Sequence, residues 1–124
     1  MSSRYSGRLP RTYAQAEQML GKRERRTLIN NTVIEAGGGG RINVLYHGNL
    51  IAAFDPSGSR MLTNCGYGTV STRERLNAMA PAGVGFVQRN HAQKVLVNQQ
   101  DDPKDWRYLD GGTVWIDRDG RVSD

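Results

Sequence analysis

The chain has little of what makes a small protein reactive or covalently stapled. Cys65 is its only cysteine, so no disulfide framework exists and a reducing, intracellular setting is the default. That thiol, beside Asn64 and Gly66, would act as a nucleophile only where a histidine met it in space. The two histidines, His47 and His91, stand apart from each other and from Cys65, without the paired spacing of metal ligands. Asp117-Arg118-Asp119-Gly120 opens like a calcium loop but lacks the later bidentate glutamate, so it reads as a β-turn between strands. Neither a G-x-x-x-x-G-K-[ST] loop nor a G-x-G-x-x-G fingerprint is present. Acidic residues gather in loops near the C-terminus, with no suggestion of a paired acid and base. The expectation is a protein without catalysis, metal or cofactor. No apolar run approaches the ~18 residues that span a bilayer, and MSSRYSGRLPR lacks the apolar core of a signal peptide; no membrane is expected.

What the sequence does have is charge of one sign, unevenly placed. Residues 1–28 hold seven basic groups (Arg4, Arg8, Arg11, Lys22, Arg23, Arg25, Arg26) against Glu17 and Glu24, a net +5 equal to that of the whole chain. Residues 29–100 add +3 and residues 101–124 take it back with −3. Such asymmetry favours contact with a polyanion, nucleic acid being the commonest. The blander alternatives are a solubilising arm, or one that docks on an acidic surface of its own assembly.

At 124 residues, 37% apolar and 23% charged, the chain fits one globular domain with a modest core. Residues 1–11 read as a basic flexible tail and 12–124 as the domain. In RTYAQAEQMLGK, Thr12 and Gln15 have capping-box spacing and Gly21 sits where a C-terminal αL residue belongs, predicting a helix of about two turns. KRERR either extends a second basic turn or leads into a strand. INNTVIEA, RINVLYH, NLIAAFD and RMLTN then read as about four meandering strands. Gly37–Gly40, His47-Gly48-Asn49 and Pro56–Ser59 supply the turns between them. Beyond the mid-chain helix, GFVQR and KVLVN form a pair around Asn90-His91-Ala92, and WRYL and TVWID bracket Gly111-Gly112. The 15 glycines suit so many turns. The fold class is α+β: a mostly antiparallel sheet or small open barrel, with an N-terminal helix and a short mid-chain helix.

GYGTVSTRERLNAM, residues 66–79, is the most suggestive stretch. Ser71 and Glu74 have S-x-x-E spacing, which predicts a helix from Thr72 with Leu76, Met79 and Ala80 facing the core. A helix N-terminus is a natural anion seat, and Gly66 and Gly68 allow close backbone approach to it. Arg73 and Arg75 in the first turn oppose the helix dipole by roughly 0.3–1 kcal/mol each when exposed; an anionic ligand, or an acidic neighbour such as Asp55, would remove that penalty. A base stacked on Tyr67 with a phosphate on Arg73 or Arg75, beside the Ser71 and Thr72 hydroxyls, is the sharp reading. A capped helix with solvated arginines is the plain one. Of the other aromatics, Tyr5, Tyr13, Tyr46, Trp106, Tyr108 and Trp115, most are expected to pack in the core or across strands.

TYAQAEQMLGKRERRTLINNTVIE followed by LYHGNLIAAFDPSGSRMLTNCGYGTVSTRERLNAM resembles a family of small phage and prophage proteins. Its pattern runs TY-x-x-A, LG, NNT-x-x-E, LH-x-T-x-I, P-x-G and L-x-x-G-G-W-x-T-V-T-T-K-x-R-I-N. The likeness covers residues 12–79. Asn49 stands where a threonine is usual, Cys65-Gly66-Tyr67 replaces Gly-Gly-Trp, and Ser71 replaces a threonine, while an aromatic at Tyr67 and a base at Arg73 keep to the pattern. The resemblance implies a phage-encoded, non-enzymatic accessory protein and supplies no catalytic residues. The expected role is nucleic-acid binding (DNA or RNA) through the basic N-terminal segment, in the host cytoplasm. Two alternatives stay open: an anti-defence protein capturing a host protein or a nucleotide signal, and a minor structural component of the virion. A phage protein partner and a homo-oligomer are compatible with either.

Overall fold

The computed structural model describes residues 4–98 and 107–123 of the chain. In chain order the elements are α1 (Tyr13–Leu20), β1 (Arg25–Ile29), β2 (Thr32–Ala36), β3 (Ile42–Tyr46), β4 (Asn49–Phe54), β5 (Arg60–Thr63), α2 (Val70–Met79), β6 (Val84–Arg89), β7 (Ala92–Val97), β8 (Arg107–Asp110), β9 (Thr113–Ile116) and β10 (Val122–Ser123). Strands β1 to β5 form a continuous meander. β9 and β10 join it at β5 to complete a seven-stranded sheet, while β6, β7 and β8 make a separate sheet of three. Every pairing is antiparallel. The sheets do not close into a barrel, and the α+β class holds with mostly sheet.

Side-chain alternation sets the layers. Ile34, Ile42, Val44, Phe54, Leu62, Val114 and Ile116 point to one face of the large sheet and are buried. There they meet Ala16 and Leu20 of α1, Leu76 and Met79 of α2, and Val84, Phe86, Val95 and Val97 of the small sheet, in one core cluster. Both helices and the small sheet therefore cover the same side. The β3–β4 register slips between Val44 and Leu45, and this bulge turns Ile51 inward beside Ala52.

α1 forms as its caps dictate. Thr12 Oγ1 accepts the Gln15 N–H at 3.1 Å, and Gly21, at φ +64°, donates its N–H to Glu17 O at 2.9 Å. The Gln15 side chain reaches back one residue further than a capping box requires, to the Arg11 N–H at 2.8 Å.

Three sequence expectations are corrected. INNTVIEA is not one strand: Asn30-Asn31 is a two-residue turn, with Asn31 in the left-handed region at φ +55°, a conformation asparagine tolerates. The basic run therefore enters β1. α2 begins at Val70, not Thr72. Its N-cap is Thr69, whose Oγ1 accepts the Thr72 N–H at 3.3 Å, while Glu74 lies 3.6 Å from Arg4 instead of closing a box with Ser71. Finally, residues 4–11 are docked and not a loose tail. Leu9 is 1% exposed within the core, a burial worth about 1.5–3 kcal/mol, and Arg11 O accepts from Arg60 Nη1 at 2.9 Å.

Near the candidate site Asn64 ties the end of β5 to the β8–β9 turn. Its backbone N–H donates to Gly112 O at 2.8 Å and its Oδ1 accepts the Gly66 N–H at 2.9 Å. Gly112 has to be glycine here, because a Cβ would overlap the Asn64 side chain.

Candidate nucleic-acid interface

β1 is an outer strand of the large sheet, which leaves its first residues free of core packing. Arg25, Arg26 and Thr27 are exposed, and only Leu28 and Ile29 turn inward. Lys22 and Arg23, in the link from α1, are exposed too. Arg25 Nη1 lies 4.0 Å from Glu35 Oε2 on the paired strand. Arg26 Nη1 donates to Met19 O at 2.7 Å, where a cation suits the carbonyl end of α1.

The docked N-terminal strap runs beside this strand. Between them lies a groove of about 440 Å³, lined by Arg4, Tyr5, Arg8, Thr27, Ile29, Asn30 and Asn31. Arg4 keeps an exposed side chain although its Nε is 3.6 Å from Glu74 Oε2 and its guanidinium lies 5.1 Å from the Tyr5 ring centroid. Arg8 is exposed. Six of the seven predicted N-terminal cations thus stand on or beside one edge of the sheet. Arg11 is the exception: its Nε donates to Ala78 O at 3.1 Å, fixing the strap to the end of α2. Arg60 is fixed as well, through Arg11 O; burial pulls its guanidinium below the ordinary arginine value, and its Nε has no hydrogen-bond partner among the described residues.

The constellation expected at α2 comes together only in part. A pocket of about 510 Å³ contains Tyr67, Ser71 and Thr72, with Tyr46, His47, Asn49, Ile51, Asn64 and Thr69. Tyr67 is 52% exposed, as its glycine neighbours suggested. The hydroxyls bond to each other: Ser71 Oγ to Tyr46 OH at 3.0 Å, and Thr72 Oγ1 to Thr69 Oγ1 at 2.8 Å. Arg73 turns away, donating from Nη1 to Gly68 O at 2.9 Å and to Gln93 Oε1 at 3.2 Å. No arginine or lysine lines the pocket, so a phosphate there would meet the helix end with hydroxyl, amide and imidazole groups but no guanidinium.

Arg75 is the clearest correction. It is 3% exposed and serves the interior. Nε donates to Thr32 Oγ1 at 2.7 Å, Nη1 to Ser71 O at 3.0 Å and Nη2 to Asn30 O at 3.1 Å. The rings of Tyr46 and Tyr5 lie 3.9 and 4.5 Å from its guanidinium carbon, distances at which the π faces stabilise a desolvated cation. Arg75 thereby locks α2 to the β1–β2 turn and shares Tyr5 with the basic groove. The groove residues Thr27, Asn30 and Asn31 carried no functional signal in the sequence. They matter because the strap lies against them. Trp115 and Tyr108, expected to pack, are exposed. Trp106 lies outside the described residues.

Among the described residues no group of three His, Cys, Asp or Glu side chains is placed to hold a metal ion. The Asp117 turn is a turn, its Oδ1 accepting the N–H groups of Asp119 and Arg121, each at 2.9 Å. No helix among the described residues is long and apolar enough to cross a membrane. Compared with known proteins, residues 10–115 match the family model described as Kyanoviridae Gp96 protein. No curated protein and no solved structure matches the chain.

Proposed function

The chain belongs to the Kyanoviridae Gp96 protein family, a family of phage proteins, and from that premise we propose that it is a non-enzymatic accessory protein that binds nucleic acid along its β1 edge, in the infected host cell. One observation carries the reading. The strap holds Arg4 and Arg8 over a groove bordered by Thr27, Asn30 and Asn31, beside the exposed Lys22, Arg23, Arg25 and Arg26. Cations in a line along a groove suit a phosphate backbone, and neutral side chains between them donate to phosphate and sugar oxygens. Charge on an outer strand also discourages pairing with another chain, and the two roles are compatible. Capture of a nucleotide signal at Tyr67 has less support, because Arg73 and Arg75 both point away from that pocket.

The test is fluorescence anisotropy of labelled single- and double-stranded DNA and RNA across a salt series. Binding should weaken with a log–log slope near −0.7 to −0.9 per phosphate contacted. Arg4→Ala with Arg8→Ala should lower the slope by about 1.4–1.8, the share of two contacts. Tyr67→Ala with Arg73→Ala should leave it alone. Absence of binding at low salt, or binding indifferent to salt, overturns the proposal.

A further inference from the structure

The large sheet has a second face, and neither helix nor the small sheet covers it. Asn43, Ala53, Met61, Trp115 and Ser123 stand side by side across five neighbouring strands. The next row continues the apolar surface, Val33 opposite Leu45 and Leu45 opposite Leu50. None of these side chains belongs to the core cluster or packs against it, and Trp115 is 55% exposed. The surface is hollowed into a groove of about 730 Å³. An antiparallel sheet facing water normally presents polar residues on that side. An apolar surface that carries an exposed tryptophan marks a contact surface instead.

The charges around the groove indicate what covers it. Arg41 and Asp55 border it as an ion pair of 3.1 Å, and Asp117 and Arg121 border it elsewhere. Arg60 also touches the groove while its Nη1 donates to the strap, so the lining sets three arginines against two aspartates. The rim thus comes close to charge balance, whereas the β1 edge sets six cations against Glu24, Glu35 and Glu74, and it gives a polyanion little reason to settle there. For a chain of net +5, two copies repel over most of their surfaces and meet at lowest cost where the charge nearly balances. A two-fold axis brings identical patches together, so a rim with both signs can set arginines of one copy near aspartates of the other. We infer that this face binds a second copy of the same chain, sheet against sheet about a two-fold axis, with Trp115 as its aromatic anchor. The inference goes beyond the nucleic-acid reading and does not depend on it.

Sedimentation velocity of the full chain over a concentration series tests this without nucleic acid. The wild type should show a reversible monomer–dimer equilibrium that sulfate strengthens, as apolar burial requires. Trp115→Lys should raise the dissociation constant at least about tenfold, the loss expected when an aromatic anchor is removed, with an unchanged far-UV circular dichroism spectrum. Ala53→Lys, which places a charge in the same row from another strand, should do the same, so that misfolding of one variant leaves the other to decide. Lys22→Ser with Arg23→Ser, on the basic edge, should leave the equilibrium as it was. A wild type that stays monomeric at every concentration overturns the inference. So does a dimer indifferent to both lysine substitutions, or a monomer whose Trp115 is shielded only on joining a phage particle, which would assign the face to another protein.

Discussion

The β1 edge and the open face around Trp115 belong to one sheet and are built for opposite conditions. At the edge, Arg25 and Arg26 follow Lys22 and Arg23, all exposed, and the strap adds Arg4 and Arg8. On the open face Ala53, Met61 and Trp115 lie in register inside a rim where Arg41 is matched by Asp55. Salt screens the first kind of contact, whereas excluded salts such as sulfate strengthen the second. The two surfaces are thus separable by solution conditions alone. A net charge of +5 describes neither: it sums a concentrated edge and a face where the two signs nearly cancel.

Substitutions that belong to neither surface put the largest strain on the comparison. Arg75→Ala leaves the Thr32 hydroxyl and the Asn30 carbonyl without its donors and opens space between two tyrosine rings. It should cost about 3 kcal/mol, a fall in Tm of about 10 °C by calorimetry. Where the variant remains folded, its salt slope on DNA should match the wild type. A changed slope with unchanged stability would return Arg75 to the binding surface. Leu9→Ala should cost less, about 2–3 kcal/mol, yet act on one surface only. By loosening the strap that carries Arg4 and Arg8 it should weaken nucleic-acid binding while leaving the sedimentation behaviour untouched.

The smallest effect concerns acid. Asp55 is held below the ordinary carboxylate value by the Ser57 backbone N–H, the Ser57 hydroxyl and Arg41. A folded-state value below the unfolded one means its contribution is complete above the unfolded value of 3.8 and fades as pH falls through the folded one. Urea unfolding should therefore show Asp55→Asn less stable than wild type at neutral pH, and the gap should close below pH 3.8. Loss of that charge in acid should loosen the Arg41–Asp55 part of the open face's rim.

How much of this was legible in the sequence depended on how local the cause was. α1 was readable because Thr12, Gln15 and Gly21 act within a few residues of the helix they bound. The strands of the meander were readable from their apolar alternation, and the Asp117 turn from its own composition. β1 was ambiguous because an outer strand with exposed residues need not alternate, and its charges suit a helix as well. The start of α2 was misread because threonine caps as well as serine, and the glutamate at Glu74 drew attention two residues too late. Most instructive is Arg75. Its burial depends on Tyr5, Asn30, Thr32 and Tyr46, which no spacing rule connects to it, so only the folded chain reveals a structural cation where a ligand-binding one was expected. Trp115 was missed for the converse reason: a strand tryptophan is usually packed, and its exposure depends on which face the helices happen to cover. The sequence resemblance stopped at residue 79, whereas the family match continues to residue 115, through the β8–β9 hairpin.

The pairing of β5 with β9 also sets an order of events. Arg60 to Thr63 lie beside Thr113 to Ile116, so the meander emerges from the ribosome with one side unmatched while α2 and the small sheet are still being made. At ordinary elongation rates of about 5–20 residues per second, β5 waits for several seconds with its backbone groups open to any passing strand. During that interval the nascent chain is most exposed to mispairing with its neighbours on the same message, and a chaperone that shields β5 would act there. β9 and β10, made after the helices and the small sheet, are the strands that complete the large sheet.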